Sequence, residues 1–249
     1  MKKLILTAIV IFAFNTAKGQ EKKTISGDSS VKTVEQILKI TGFGKLKLGM
    51  DVKDLEELKE AKEMKTFNDF ISKVYKNYSN KNVYEQIVDT TKIERGFGSP
   101  DKKVRIFTVP KINVTDEIVL KFVNLKFYDD KLYYVNCDYD KNLIDALTLK
   151  YGAPKVDTKE EDKEFTFIYT GNKITKKESK LTSNWSTGDI NIICLSFMSN
   201  YFNSKGEQSF LSYANLYNKE TLNMISKSES DFFDKRKAKE EAEKKSKTF

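Results

Sequence analysis

One acidic segment has residue types and spacing that could support metal chemistry. Residues 138–142 read Asp-Tyr-Asp-Lys-Asn, so side-chain oxygens recur at alternate positions, as in the first three ligands of a calcium loop. Such a loop also needs a glycine where Leu143 stands and a bidentate glutamate where Leu149 stands. Asp140 at the start of a helical pattern is explained more simply as a helix N-cap. The sequence therefore predicts no metal site here.

The two cysteines, Cys137 and Cys194, are a second candidate for chemistry. Both fall in predicted strands, and in an oxidising compartment they could form a disulfide that adds ~3–4 kcal/mol of stability. The alternative is two buried thiols that pack as small apolar residues. A catalytic thiol is not predicted, because the chain has no histidine and neither cysteine lies in a C-x-x-C motif.

The remaining catalytic and cofactor motifs are incomplete. A Ser-His-Asp relay needs a histidine, and the chain has none. The glycine pairs at 42–44 and 96–98 resemble halves of a phosphate-binding loop, but neither continues into the full motif, so both are interpreted as turns. We expect no cofactor and no enzymatic activity. The plentiful carboxylates, 36 in all, leave one catalytic alternative open, a glycosidase-like pair of acids.

The first nineteen residues have the pattern of an export signal. Lys2 and Lys3 precede an apolar run from Leu4 to Phe14 that is too short to span a bilayer. Small residues follow at Ala17 and Gly19. This pattern predicts cleavage before Gln20 and a periplasmic or secreted protein.

Composition favours a folded body with a mixed surface. Hydrophobic residues make up 39% and aromatic residues 12% of the 249 residues, enough for a core. The net charge of +8 is spread along the chain rather than gathered in a patch, so a nucleic-acid partner is not predicted. No later stretch is long and apolar enough to predict a transmembrane helix.

Hydrophobic periodicity predicts an α+β fold in which an antiparallel sheet has helices packed on one face and a charged helix follows at the C-terminus. The clearest local signals are an amphipathic helix at 67–78, hairpin turns at Asp129-Asp130 and Gly188-Asp189, and a helix that Asp140 begins and Gly152 ends. Asp51 is expected to cap a helix, and the charges at 157–163 are expected to form a loop. The predicted organisation is a signal peptide at 1–19, a flexible leader at 20–30, an α+β domain at 31–218 that could divide into 31–110 and 111–218, and a charged helical tail at 219–249.

Three stretches resemble small exported α+β modules of the BamE/SmpA and β-lactamase-inhibitor-like type. Residues 45–51 (K-L-K-L-G-M-D) and the helix expected after them look like the opening strand, Gly-Met and helix of such modules. Residues 127–135 resemble their hairpin, and 147–154 (L-T-L-K-Y-G-A-P) resemble their helix exit. The resemblance covers under a quarter of the chain. It implies a non-catalytic module that binds other proteins or scaffolds an envelope complex, although no cysteine stands at the expected cleavage site for a lipid anchor.

The sequence thus predicts an exported, non-enzymatic binding or envelope-associated module that recognises a protein or another envelope component. Its contact surface would be an exposed strand edge or the C-terminal helix. Two alternatives stay open: a carboxylate-based hydrolase of an envelope polymer, and a carrier that holds an apolar ligand between sheet and helices. The 17 Phe and 12 Tyr residues motivate the second alternative.

Overall fold

The structure, a computed structural model, describes residues 39–75, 81–93, 95–166, 171–202 and 208–246. The predicted signal peptide and leader lie outside these residues. Residues Leu38–Phe249 form one compact unit.

A nine-stranded sheet dominates the fold, and all its pairs are antiparallel except β3 with β4. Its spatial order is β3-β4-β5-β6-β7-β11-β10-β9-β8, and a separate two-stranded sheet joins β1 to β2. The strands are β1 Gly42–Phe43, β2 Leu46–Lys47, β3 Lys62–Met64, β4 Tyr84–Gln86, β5 Val104–Asn113, β6 Val119–Tyr128, β7 Lys131–Asp138, β8 Lys155–Thr166, β9 Lys173–Thr187, β10 Ile190–Phe202 and β11 Gln208–Asn218.

Three α-helices accompany the sheet in the described part of the chain: α1 Phe67–Phe70, α2 Lys141–Tyr151 and α3 Lys219–Ser246. A π-helical turn, Ile71–Tyr75, continues α1, so the predicted helix at 67–78 is observed as far as residue 75, and residues 76–80 lie outside the description. The predicted charged C-terminal helix is confirmed as α3. None of the helices among the described residues has the length and apolar character needed to cross a bilayer.

The Asp129-Asp130 turn and the Asp140 cap that the sequence predicted are confirmed. Asp129 and Asp130 connect β6 to β7 with φ angles of 48° and 60°, the left-handed values that a two-residue type I′ turn requires at both positions. In α2, a carboxylate oxygen of Asp140 accepts hydrogen bonds from the backbone N–H groups of Asn142 and Leu143, at 2.8 and 3.3 Å. These bonds satisfy donors that have no partner within the helix.

Two local predictions are wrong. Residues 157–163 belong to strand β8, because this charged segment pairs with β9 along its whole length and its side chains find opposite charges there, as in the Glu160–Lys177 ion pair at 2.8 Å. Asp51 does accept a hydrogen bond from the backbone N–H of Lys53, but two 3₁₀ turns follow it, Val52–Asp54 and Glu56–Leu58, rather than an α-helix.

The sheet has an apolar face and a polar face, and both are covered. Leu125, Val135 and Leu216 are fully buried on the apolar face, where they belong to one core cluster with Leu143 and Leu147 of α2. Side chains alternate across a strand, so the intervening residues point to the opposite face, over which α3 lies. The prediction of helices on one face is therefore wrong: α2 packs on one face and α3 on the other.

Candidate binding cleft

A row of hydrogen-bonded polar side chains crosses the α3 side of the sheet. Thr108, Asn124, Asn136 and Asn215 occupy matching register positions on the neighbouring strands β5, β6, β7 and β11. The Thr108 hydroxyl donates to Asn124 Oδ1 at 3.0 Å, and Asn124 Nδ2 donates to Asn136 Oδ1 at 3.5 Å. Asn136 Nδ2 in turn donates to Asn215 Oδ1 at 2.8 Å. We call these four residues the polar row; its two central members, Asn124 and Asn136, line the floor of a cleft.

A second row lies beside the polar row. Lys126 of β6, Tyr134 of β7 and Tyr217 of β11 are register partners on the same face. The Tyr134 hydroxyl donates to Asn215 Oδ1 at 3.0 Å, which connects the two rows. Burial raises the pKa of Tyr134 to about 12, because the phenolate is poorly solvated there.

Lys126 is the charged group of the floor. Its ammonium lies 5.2 Å from the centre of the Tyr134 ring, within the range of a cation–π contact. Burial lowers the pKa of Lys126, and the Glu229 carboxylate on α3 acts in the opposite direction. Among the residues that the structure describes, Lys126 forms no hydrogen bond and no ion pair through its ammonium.

Helix α3 forms the roof of the cleft. Ser226, Glu229, Ser230 and Phe233 follow the i, i+3, i+4, i+7 spacing that puts side chains on one helix face, and all four line the cavity. Ile225 is buried at the end nearest the sheet. The helix is therefore amphipathic in its first half, although its composition is mostly charged.

Contacts with the segment before β5 hold the middle of α3, at the end of the cleft roof. Arg236 Nη1 donates to the Ile93 carbonyl oxygen at 2.7 Å. The Arg95 guanidinium forms an ion pair with Asp234 at 3.6 Å and lies 5.4 Å from the centre of the Phe233 ring. This end of the roof rests mainly on polar contacts rather than on a buried apolar interface.

The space between floor and roof has a volume of about 430 Å³, within the range of pockets that hold small organic molecules. Phe70 and Ile106 add apolar wall. The segment Gly96-Phe97-Gly98 closes one side, and the Gly98 N–H donates to Gln86 Oε1 at 2.9 Å. A Cβ at Gly98 would lie 2.2 Å from a Val88 methyl carbon, so only glycine fits at this turn.

The described residues of the cleft offer groups that can hydrogen-bond to a ligand or pair with its charge. They supply amide and hydroxyl groups, Lys126, Arg95 and a single carboxylate, Glu229. Glycosidase chemistry uses two facing carboxylates, and the lining residues contain no such pair. Across the described parts of the chain, no group of three or more His, Cys, Asp or Glu side chains is placed to hold a metal ion.

The cysteines that the sequence singled out lie away from the cleft. Cys137 is buried on the apolar face, and its backbone register partner on β11 is Ala214. Ala214 is also the register partner of Cys194 on β10, so β11 runs between the two cysteine positions. Two strand spacings separate them by about 10 Å between Cα atoms.

The cleft was not predicted from the sequence. Its signal was present as polar residues at alternate positions of strongly β-forming strands: Asn124 and Lys126 in β6, and Tyr134 and Asn136 in β7. Alternation of this kind is normal for a strand with one solvent-facing side. It therefore indicated a second face, but it did not indicate that α3 covers it.

No family model, curated protein or solved structure matches this chain. The resemblance to the BamE/SmpA and β-lactamase-inhibitor-like group stays a prediction.

Proposed function

We propose that this protein is an exported, non-enzymatic binding module, and that the cleft between the polar face of the sheet and α3 is its ligand site. The observation that carries the proposal is a cavity of about 430 Å³ that combines a hydrogen-bonding floor, an apolar wall and one half-buried lysine. Small-molecule sites combine apolar walls with convergent polar groups, and this cleft offers polar and apolar surface in about equal amounts. Export rests on the N-terminal sequence pattern alone.

The cleft suits a small polar ligand better than an apolar ligand or a polymer substrate, the two alternatives that the sequence left open. An apolar ligand would leave Lys126 and the amides of the polar row without partners, which costs free energy in a buried site. A polymer hydrolase would need a second acid beside Glu229.

A protein partner could bind by adding a strand at a sheet edge, but both edges oppose this. The edge strand β8 is densely charged from Lys159 to Glu164, and the other edge strand, β3, is only three residues long; both features disfavour strand addition. The cleft is therefore the stronger candidate for recognition.

A cleft-filling variant tests the proposal. Ser226→Phe places a ring in the cleft, and Ser228→Phe makes the same change at an exposed position of α3 outside the cleft lining. We expect compounds found by ligand-observed NMR in a mixed library of acids, bases and neutral molecules to lose binding in Ser226→Phe and keep it in Ser228→Phe. The proposal fails if no compound binds, or if every hit binds both variants equally.

A further inference from the structure

We propose that the cleft recognises a small organic carboxylate with an apolar body, whose carboxylate binds the Lys126 ammonium and the amides of the polar row. This inference rests on the proposed function and adds the class of ligand. It follows from the charge of Lys126, the hydrogen-bonding state of the floor and the composition of the walls.

The Lys126 ammonium has no ion-pair partner among the described residues. Buried ammonium groups are normally paired, because an unpaired charge in a poorly solvated site is costly. Lys126 contacts the face of the Tyr134 ring, but no carboxylate of the described residues reaches it as an ion pair. Glu229 on α3 faces Lys126 without forming an ion pair with it, and an anion bound in the cavity would supply the missing partner.

The hydrogen bonds within the polar row determine which of its polar groups remain available to a ligand. The Asn124 oxygen accepts from Thr108, the Asn136 oxygen accepts from Asn124, and the Asn215 oxygen accepts from both Asn136 and Tyr134. Each side-chain amide nitrogen carries two N–H groups, and the row uses only one from Asn124 and one from Asn136. Each amide oxygen can accept two hydrogen bonds, so only the Asn215 oxygen is fully used, and Asn124 and Asn136 each keep one N–H that can donate to a ligand acceptor such as a carboxylate oxygen.

The residues that line the cleft limit the charge and the shape of a ligand. Arg95 is already paired with Asp234, so Lys126 is the cation left for a ligand in the described lining, and Glu229 across the cavity disfavours a second negative charge. Phe70, Ile106 and Phe233 supply apolar and aromatic wall. A monoanion with a ring or short aliphatic body satisfies both conditions.

The test compares acids with amides of the same shape. Benzoate, phenylacetate and 3-phenylpropionate, each with its primary amide, would be titrated into the full mature chain and followed by NMR or calorimetry. We expect at least one acid to bind at least about tenfold more tightly than its amide, which corresponds to about 1.4 kcal/mol. We expect Lys126→Gln to remove most of that preference. Lys121→Gln, at an exposed lysine of the same strand, serves as the matched control and should retain the preference.

Thermal unfolding separates loss of binding from loss of folding. Lys126→Gln removes a half-buried charge that has no ion-pair partner among the described residues, so its melting temperature should equal or exceed that of the wild type. The carboxylate inference is overturned if all three acids fail to bind, if acids and amides bind equally, or if Lys126→Gln keeps the preference for acids. In that case, non-acidic library compounds that bind the wild type but not Ser226→Phe would still support the proposed function. Only the carboxylate ligand class would be rejected.

Discussion

The side-chain amide of Asn136 donates to the carbonyl oxygen of Asn215 at 2.8 Å, joining strands that are neighbours in the sheet although far apart in the chain. The Tyr134 hydroxyl donates to the same oxygen at 3.0 Å. Asn215 thus receives two donors at the point where β7 meets β11.

Replacing Asn215 by leucine should destabilise the fold. The change leaves the Asn136 amide and the Tyr134 hydroxyl without their acceptor, and such a loss in a partly buried site costs about 1–3 kcal/mol. Urea unfolding measures the difference. Asn113→Leu, at an exposed position of β5, should change stability by less than about 0.5 kcal/mol. Equal effects of the two substitutions would contradict a structural role for the polar row.

Tyr134 should ionise about two pH units above an ordinary tyrosine. Its pKa in the folded protein is about 12 against a reference of 10.0, with burial as the main cause. The folded value is the higher one, so the contribution of Tyr134 to stability is fully present below pH 10 and is lost as the pH rises through about 12. The difference in tyrosinate absorbance between wild type and Tyr134→Phe should show this late transition. A difference titration centred near pH 10 in the folded protein would refute it.

Asp140→Ala should destabilise the protein by about 1 kcal/mol, because the first turn of α2 loses the acceptor for two backbone N–H groups. Asp140→Asn should retain most of the stability, since asparagine is an equally good N-cap. Chemical denaturation of the two variants measures the contrast. Calcium should not raise the melting temperature of the wild type; a calcium-dependent increase that Asp140→Ala abolishes would restore the metal interpretation of residues 138–142.

Cys137 and Cys194 should not form a disulfide within one chain. Disulfides require Cα atoms less than about 7 Å apart, and the intervening strand β11 separates these positions by about 10 Å. Alkylation of the unfolded, unreduced protein followed by mass spectrometry should add two alkyl groups. Addition of none, in monomeric protein, would show that the strand order around β11 differs from the one described here.

The features that the sequence predicted correctly are local. The Asp129-Asp130 turn and the ends of α2 depend on contacts between residues a few positions apart, so composition and spacing suffice to recognise them. Strand β8 was mistaken for a loop because its charges are compensated by residues of β9 across the hairpin, which a pattern of charges within 157–163 does not reveal.

The sequence by itself determined an α+β chain with two well-marked hairpins, a capped central helix, a charged C-terminal helix and no histidine chemistry. Only the tertiary structure decided that Thr108, Asn124, Asn136 and Asn215 form one row and that α3 closes a cavity over it. The physical reason is that side chains alternate between the two faces of a strand, so the sequence shows which residues of one strand share a face. Which residues of other strands lie beside them is decided by strand order and register. Strand order and register depend on the burial of the whole apolar face, whose core cluster includes residues from Ile40 to Leu216.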